Sequence, residues 1–351
     1  MFLLWLLYLT TAGGLFLIVA RWLRRPIPPG AAALLLALPI LFCLPGFFRG
    51  RTIFPVDQLS HFPPWSASVS TTPHNPYLND VATQIAPWAK AVRMAWKEGS
   101  LPFRNRWNGC GSALTANGQS AAFSPFTLAM AALPLAHGFT LVAALQILLA
   151  LSGMWLWLRE LGVSTTSALV GAISFGFSLT MTPWLLFPLA GVFCLWPWAL
   201  FATELALSGS RPAVAFALCV AVFTGWILAG HPESACLGGF GIGLYVTGRI
   251  LLRDPASGSR RLLLVCGAGF FAVALTAFLW VPQIRAIGAS NRYAAASELR
   301  NSLRGHGPHL PGWSLGFVTS IFPRALGDDV ETRRNPRAPF NFVDMGLGSF
   351  G

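Results

Sequence analysis

The residues best equipped for chemistry lie in one polar segment, residues 49–124, which separates apolar runs. It holds the acids Asp57, Asp80 and Glu98, the amides Gln84, Asn105, Asn108, Asn117 and Gln119, and the cations Lys90, Arg93, Arg104 and Arg106. A carboxylate can take the proton of an attacking hydroxyl, amides can hydrogen-bond a polar substrate, and arginine can neutralise a phosphate. Asp80 and Gln84 stand four apart, on one face of a helix, so they can address one ligand together. The offsets Asp80-x-x-x-Gln84-x-x-Pro87-Trp88 echo an earlier Asp57-x-x-x-His61-x-x-Pro64-Trp65. In each copy the Pro-Trp is expected to end or restart the turn and to set an indole at a membrane interface.

Residues 81–99 place Ile85, Trp88, Val92 and Trp96 against Lys90, Arg93 and Lys97. That pattern predicts an amphipathic helix in the interfacial plane, its indoles under lipid headgroups and its cations offered to phosphates. A second constellation is His231-Pro232-Glu233, between two apolar runs, which can bind a metal, hold a phosphate, orient a base or simply face water as a turn. Asp328, Asp329 and Glu331 are followed by Arg333, Arg334 and Arg337 and read as a solvated charged loop rather than a metal site. The chain contains no nucleotide-binding glycine loop, nucleophile elbow, HExxH or CxxC. An external enzyme of this kind would draw on a donor already presented in the membrane.

The elements that position these residues are membrane spans. Of 351 residues, 54% are hydrophobic and 10% charged, and the mean hydropathy is +0.60, far from the composition of a soluble domain. Apolar runs at residues 1–20, 31–48, 139–158, 165–180, 192–207, 213–230, 236–252 and 262–281 are expected to cross, with 123–135 dipping into the membrane or lying on it. Lys and Arg number 24 against 12 Asp and Glu, and the basic residues are scattered over the connections, which argues for membrane lipids and against nucleic acid. This threading puts Arg21–Arg25, Arg159, Arg211 and Arg249–Arg261 on the inner side of the membrane, and the polar segment and the His231 turn on the external face. Glu204 is expected at the interface near Arg211. Cys43, Cys110, Cys194, Cys219, Cys236 and Cys266 fall mostly in apolar runs and read as small core residues. Residues 1–283 form the spanning domain, and residues 284–351 an external loop expected to lead into further spans.

The run from Asn79 through Trp88, followed by W-K-E-G-S-L-P-F-R-N-R-W-N-G-C-G-S-A-L-T-A-N-G-Q-S-A-A-F-S-P-F, resembles the first external loop of YfhO-like bacterial membrane proteins. The L-R-E-L-G-V-S junction and the A-G-H-P-E turn resemble that family too, so the likeness extends over nearly the whole chain. The chain departs from the family pattern at Phe103-Arg104-Asn105-Arg106, in place of Trp-Asn-Pro, and at Ser112-Ala113, where Gly-x-Pro would continue. The resemblance implies an all-α, GT-C-like multi-span core that moves a sugar from a polyprenyl-phosphate carrier to an envelope glycan or lipid acceptor. On that basis Asp80 is the expected base, with Asp57 as alternative. Gln84 and Asn117, with Asn108 and Gln119 beside them, are expected to hydrogen-bond substrate, and Arg93 with His231 to face the phosphate. The resemblance leaves the cofactor open, since some GT-C enzymes use a divalent metal, which could here bridge Asp80 and Glu233, and others use none. A transporter or flippase for lipid-linked saccharides and a non-catalytic envelope assembly subunit are the alternatives.

Overall fold

A backbone surrounded by hydrocarbon must satisfy its own hydrogen bonds, so apolar runs of this length fold as helices. The computed structural model describes residues 1–68, 75, 78–108, 110–253 and 255–288. In chain order its helices are α1 (Phe2–Arg21), α2 (Pro29–Phe42), α3 (Leu44–Phe48), α4 (Ala86–Lys97), α5 (Pro125–Ala131), α6 (Leu135–Glu160), α7 (Thr165–Gly176), α8 (Pro188–Ser208), α9 (Pro212–Leu228), α10 (Pro232–Arg253), α11 (Pro255–Leu275) and α12 (Ala277–Gly288). By length and composition α1, α6, α8 and α10 can each cross a membrane, and α11 with α12 makes a fifth crossing if that bent pair counts as one span.

Several expected spans prove shorter or broken, and each break has a local cause. The run 31–48 divides at Cys43 because Pro45 withholds an N–H from the Leu41 carbonyl. Helix α7 stops at Gly176, and at 12 residues it is about 18 Å long, too short to cross alone. Between α11 and α12 the axis turns by 69°. There the buried Thr276 donates its hydroxyl to the Ala272 carbonyl at 2.8 Å, and Pro282 offers no N–H to Phe278. Helix α12 runs on through residue 288, so the expected boundary at 283 falls inside a helix. The cluster Asp328, Asp329 and Glu331 lies outside the described residues.

Helices α6 and α8 form the centre, with 78% of each span buried. Gly153 makes the close approach possible, since a Cβ there would sit 2.5 Å from Trp198 Cδ1. The Trp198 indole also donates to the Leu149 carbonyl at 2.8 Å. Trp226 donates to Val192 at 2.8 Å and joins α9 to α8, while Tyr8 donates to Leu36 at 2.9 Å and joins α1 to α2. Interhelical bonds of this kind contribute only about 0.6 kcal/mol each in a membrane, so they select register while close packing supplies most of the stability.

The arginine-rich connections gather at one pole, as expected. Arg25 donates to Glu160 through Nε at 2.7 Å and Nη2 at 2.9 Å. A neighbouring cleft of about 220 Å³ is lined by Glu160, Glu204, Ser208, Arg249 and Arg261. Glu204 corrects an expectation, for it is 4% exposed and paired with Arg249 rather than set at an interface beside Arg211. It also accepts from the Tyr245 hydroxyl at 2.6 Å, which in turn accepts from the Trp157 indole at 3.2 Å, so one carboxylate ties α6, α8 and α10 together. Replacing Glu204 by Ala strands Arg249 and is expected to reduce stability by about 3–5 kcal/mol. The double change Glu204→Leu with Arg249→Met should restore most of that loss, as read by reversible unfolding in mixed micelles.

Candidate functional site

The polar segment folds over the opposite pole. Residues 79–97 are one continuous helical stretch interrupted by a π-turn, Val81–Ile85, where the Ala86 N–H bonds back to the Val81 carbonyl. Pro87 explains the widening, because it has no N–H for Thr83 and its ring would press on that carbonyl. The turn keeps Asp80 and Gln84 together as expected: Gln84 Nε2 donates to Asp80 Oδ1 at 2.9 Å, with both side chains exposed. One carboxylate oxygen is thereby oriented, and the other is left for a ligand.

Asp57 lies half-buried on a 3₁₀ turn, Val56–His61, that packs against the π-turn, so both candidate acids share one neighbourhood. The sequence echo is not a structural repeat. Its first copy forms short 3₁₀ turns and its second a π-turn running into α4. Helix α4 is amphipathic, but its buried face, Ala89, Val92 and Ala95, rests on α5, α6 and the segment itself rather than on lipid. Lys90 and Lys97 are exposed, and Arg93 is half-buried. Glu98 is occupied by an ion pair with Arg106.

Beyond α4 the chain makes a small hairpin in which Arg104 pairs with Ala113 and Asn105 with Ser112. Asn108 builds its turn, accepting from the Gly111 and Ser112 amides at 3.0 and 2.9 Å, while its own side chain stays exposed. Asn117 caps the next 3₁₀ turn, Gly118–Ser120, and its carbonyl accepts from Ser120 at 3.0 Å. Phe123 then holds the segment together, its ring 6.1 Å from Trp96, 5.9 Å from Phe103 and 5.0 Å from Phe278 of α12.

The structure brings the 118–121 turn against the start of α10. Gly230, at φ 92°, approaches so closely that a Cβ would lie 2.6 Å from the Gly118 carbonyl oxygen and 2.7 Å from Ala121 Cβ. Gln283 donates to the Thr115 carbonyl at 3.4 Å and adds α12 to the same junction. Gln119 borders a narrow cleft of about 40 Å³ that descends past Ile85, Ala89 and Ser124 to Gln146 of α6. Gln146 is 2% exposed, and its carbonyl oxygen has no partner among the described residues. Sequence reasoning missed both glutamines. The available signal was a single amide inside the apolar run 139–158, and another directly after Pro282.

His231 and Glu233 belong to a helix start rather than a free turn. His231 Nδ1 accepts from the Ser234 amide at 3.3 Å, and Glu233 sits exposed in the first turn, where negative charge favours the helix dipole. This capping requires an unprotonated Nδ1, so at neutral pH His231 offers a neutral N–H rather than a cation. Among the described residues no hydrogen bond or ion pair joins His231 to Arg93. Among the described residues no group of three or more His, Cys, Asp or Glu side chains is gathered for a metal, so a bridge between Asp80 and Glu233 would have no third such ligand from them.

Compared with models of known families, with curated proteins and with solved structures, the chain matches none. Fold and composition define its class: a largely helical chain with four or five helical segments able to cross a membrane among the described residues, and a polar segment folded on one pole.

Burial pushes His231 below its usual value of 6.5, with the Glu233 carboxylate working against that shift. The stability this group contributes is therefore complete above pH 6.5 and declines as pH falls toward its folded-state value. An unfolding series from pH 8 to pH 5 should show that decline in the native chain and a flatter profile in His231→Asn, which keeps a cap acceptor. His231→Ala should lose about 0.5–2 kcal/mol at pH 8 as well.

Proposed function

We propose that the protein is a GT-C-type glycosyltransferase, related to the YfhO-like family it resembles, that transfers a sugar from a polyprenyl-phosphate carrier to an acceptor of the bacterial envelope. One observation carries the reading. An apolar groove of about 640 Å³, lined among others by Phe223, Trp226, Val265 and Trp280, extends to Pro232 and Gln283, which both meet the polar segment. A prenyl chain laid in that groove would bring its phosphate to the polar pole, which on this reading is the external face.

In this scheme Asp80 takes the proton of the acceptor hydroxyl, and Gln84 holds the carboxylate in place for that step. Asn117, Asn108 and Gln119 supply hydrogen bonds to sugar or acceptor. Arg93 provides positive charge for the departing phosphate, and His231 contributes a neutral N–H donor. A carrier that moves lipid-linked saccharides is the second reading, supported by Gln146, a polar group within a span at the foot of the cleft. The cleft, at about 40 Å³, has room for water and not for a sugar, which favours transfer over transport.

Purified protein in liposomes, supplied with a panel of polyprenyl-phosphate sugars, tests the assignment. Asp80→Asn should lower turnover by roughly 10²–10⁴-fold while donor binding persists, with Asp57→Asn close to the native rate. Loss confined to Asp57→Asn would move the base to that residue. Lipid flipping untouched by either change, with no transfer from any donor, would sink the assignment.

A further inference from the structure

The arginine pole holds a second, unassigned cavity of about 460 Å³, between the α1–α2 connection and the C-terminal end of α6. Its lining includes Arg25, Pro26, Pro28, Trp155, Arg159 and Glu160. Glu160 does not make the cavity repel anions, because both of its oxygens are held by Arg25 at 2.7 and 2.9 Å and its side chain is only 10% exposed. Arg159 is then left as the uncompensated charge. One of its nitrogens is pinned to the Val163 carbonyl at 2.5 Å, and its guanidinium lies 6.0 Å from the Trp155 ring, so the group is positioned rather than free to swing. Its remaining donors have no hydrogen-bond partner among the described residues, and Arg25 Nη1 has only a 3.4 Å contact with the Arg24 carbonyl.

A fixed guanidinium with spare donors beside a second one is the arrangement that recognises phosphate oxygens. Its surroundings point to the source of that phosphate. Arg21 and Arg24 are exposed on the same connection, and Trp22, 72% exposed between them, is of the type enriched where membrane meets water. A basic pocket at the end of a span fits the headgroup of an anionic lipid. We propose that this cavity binds the phosphate of an anionic phospholipid headgroup, with Arg159 as its principal contact and Arg25, braced by Glu160, as the second. The site is separate from the polar segment at the opposite pole and independent of the proposed transfer reaction.

The full chain, purified in neutral detergent, can be titrated with phosphatidylglycerol and with phosphatidylcholine and followed by native mass spectrometry. Phosphatidylglycerol should bind preferentially, and Arg159→Gln should weaken it roughly fivefold. Arg159→Lys should recover part of that loss, and Arg285→Gln, at an exposed position on α12, should leave binding unchanged. Inorganic phosphate at millimolar concentration should give no comparable protection against thermal unfolding. If it protects fully and only through Arg159, the phosphate site stands but its occupant is the free ion, and the lipid assignment is overturned. Equal binding of the two lipids, or an Arg159→Gln chain that holds phosphatidylglycerol as the native chain does, overturns the site itself.

Discussion

The fold depends on how closely α6 and α8 approach one another. In a bilayer no hydrophobic force draws two apolar helices together, so close packing and shared hydrogen bonds must do it. Gly153 supplies the hollow and Trp198 fills it, with the indole N–H satisfied by the Leu149 carbonyl. Around this pair the remaining helices find their places: α1, α2, α5 and α7 lie on α6, while α9, α10 and α11 lie on α8. Gly176 repeats the device at the end of α7, where a Cβ would stand 2.6 Å from Leu151. Small residues act here as positioning elements, since each sets the distance between two helices.

Polar groups inside the bundle follow the opposite logic. Glu204 is tolerated because Arg249 and Tyr245 satisfy it and Trp157 completes the chain of hydrogen bonds. Gln146 is buried as deeply, yet its side-chain amide oxygen has no partner among the described residues, at the foot of the cleft below Gln119. An unsatisfied amide within a span is costly and asks for a water or ligand atom as its partner. The two poles thus differ in kind. One is tied together by ion pairs among arginines and glutamates, and the other carries exposed carboxyl, amide and cationic groups over a cleft and an apolar groove.

The polar segment shows how a loop acquires geometry from a few local constraints. Pro87 forces the π-turn that follows Asp80, and Phe123 joins α4, the hairpin and α12 through three ring contacts. Arg104-Asn105 and Ser112-Ala113 face each other as the paired strands of the hairpin that follows α4.

Helical class, the spans at α1, α6, α8 and α10, the gathering of arginines at one pole and the Asp80–Gln84 pair were all legible in the sequence, because each rests on short-range rules: apolar length, charge beside a span, and the four-residue helix repeat. Where proline and threonine would break or bend a span was legible less clearly, as neighbouring helices decide whether a freed carbonyl is tolerated. Only the tertiary structure decided that Glu204 is buried against Arg249, that α4 rests on protein instead of lipid, and that Gln146 and Gln283 belong beside the polar segment. Glu204 meets Arg249 across 45 positions and Gln283 meets Thr115 across 168, and no local periodicity encodes such a meeting. It follows from which helices pack together, and that choice is made by shape, at places such as Gly153 and Gly230 where the absence of a side chain admits a partner.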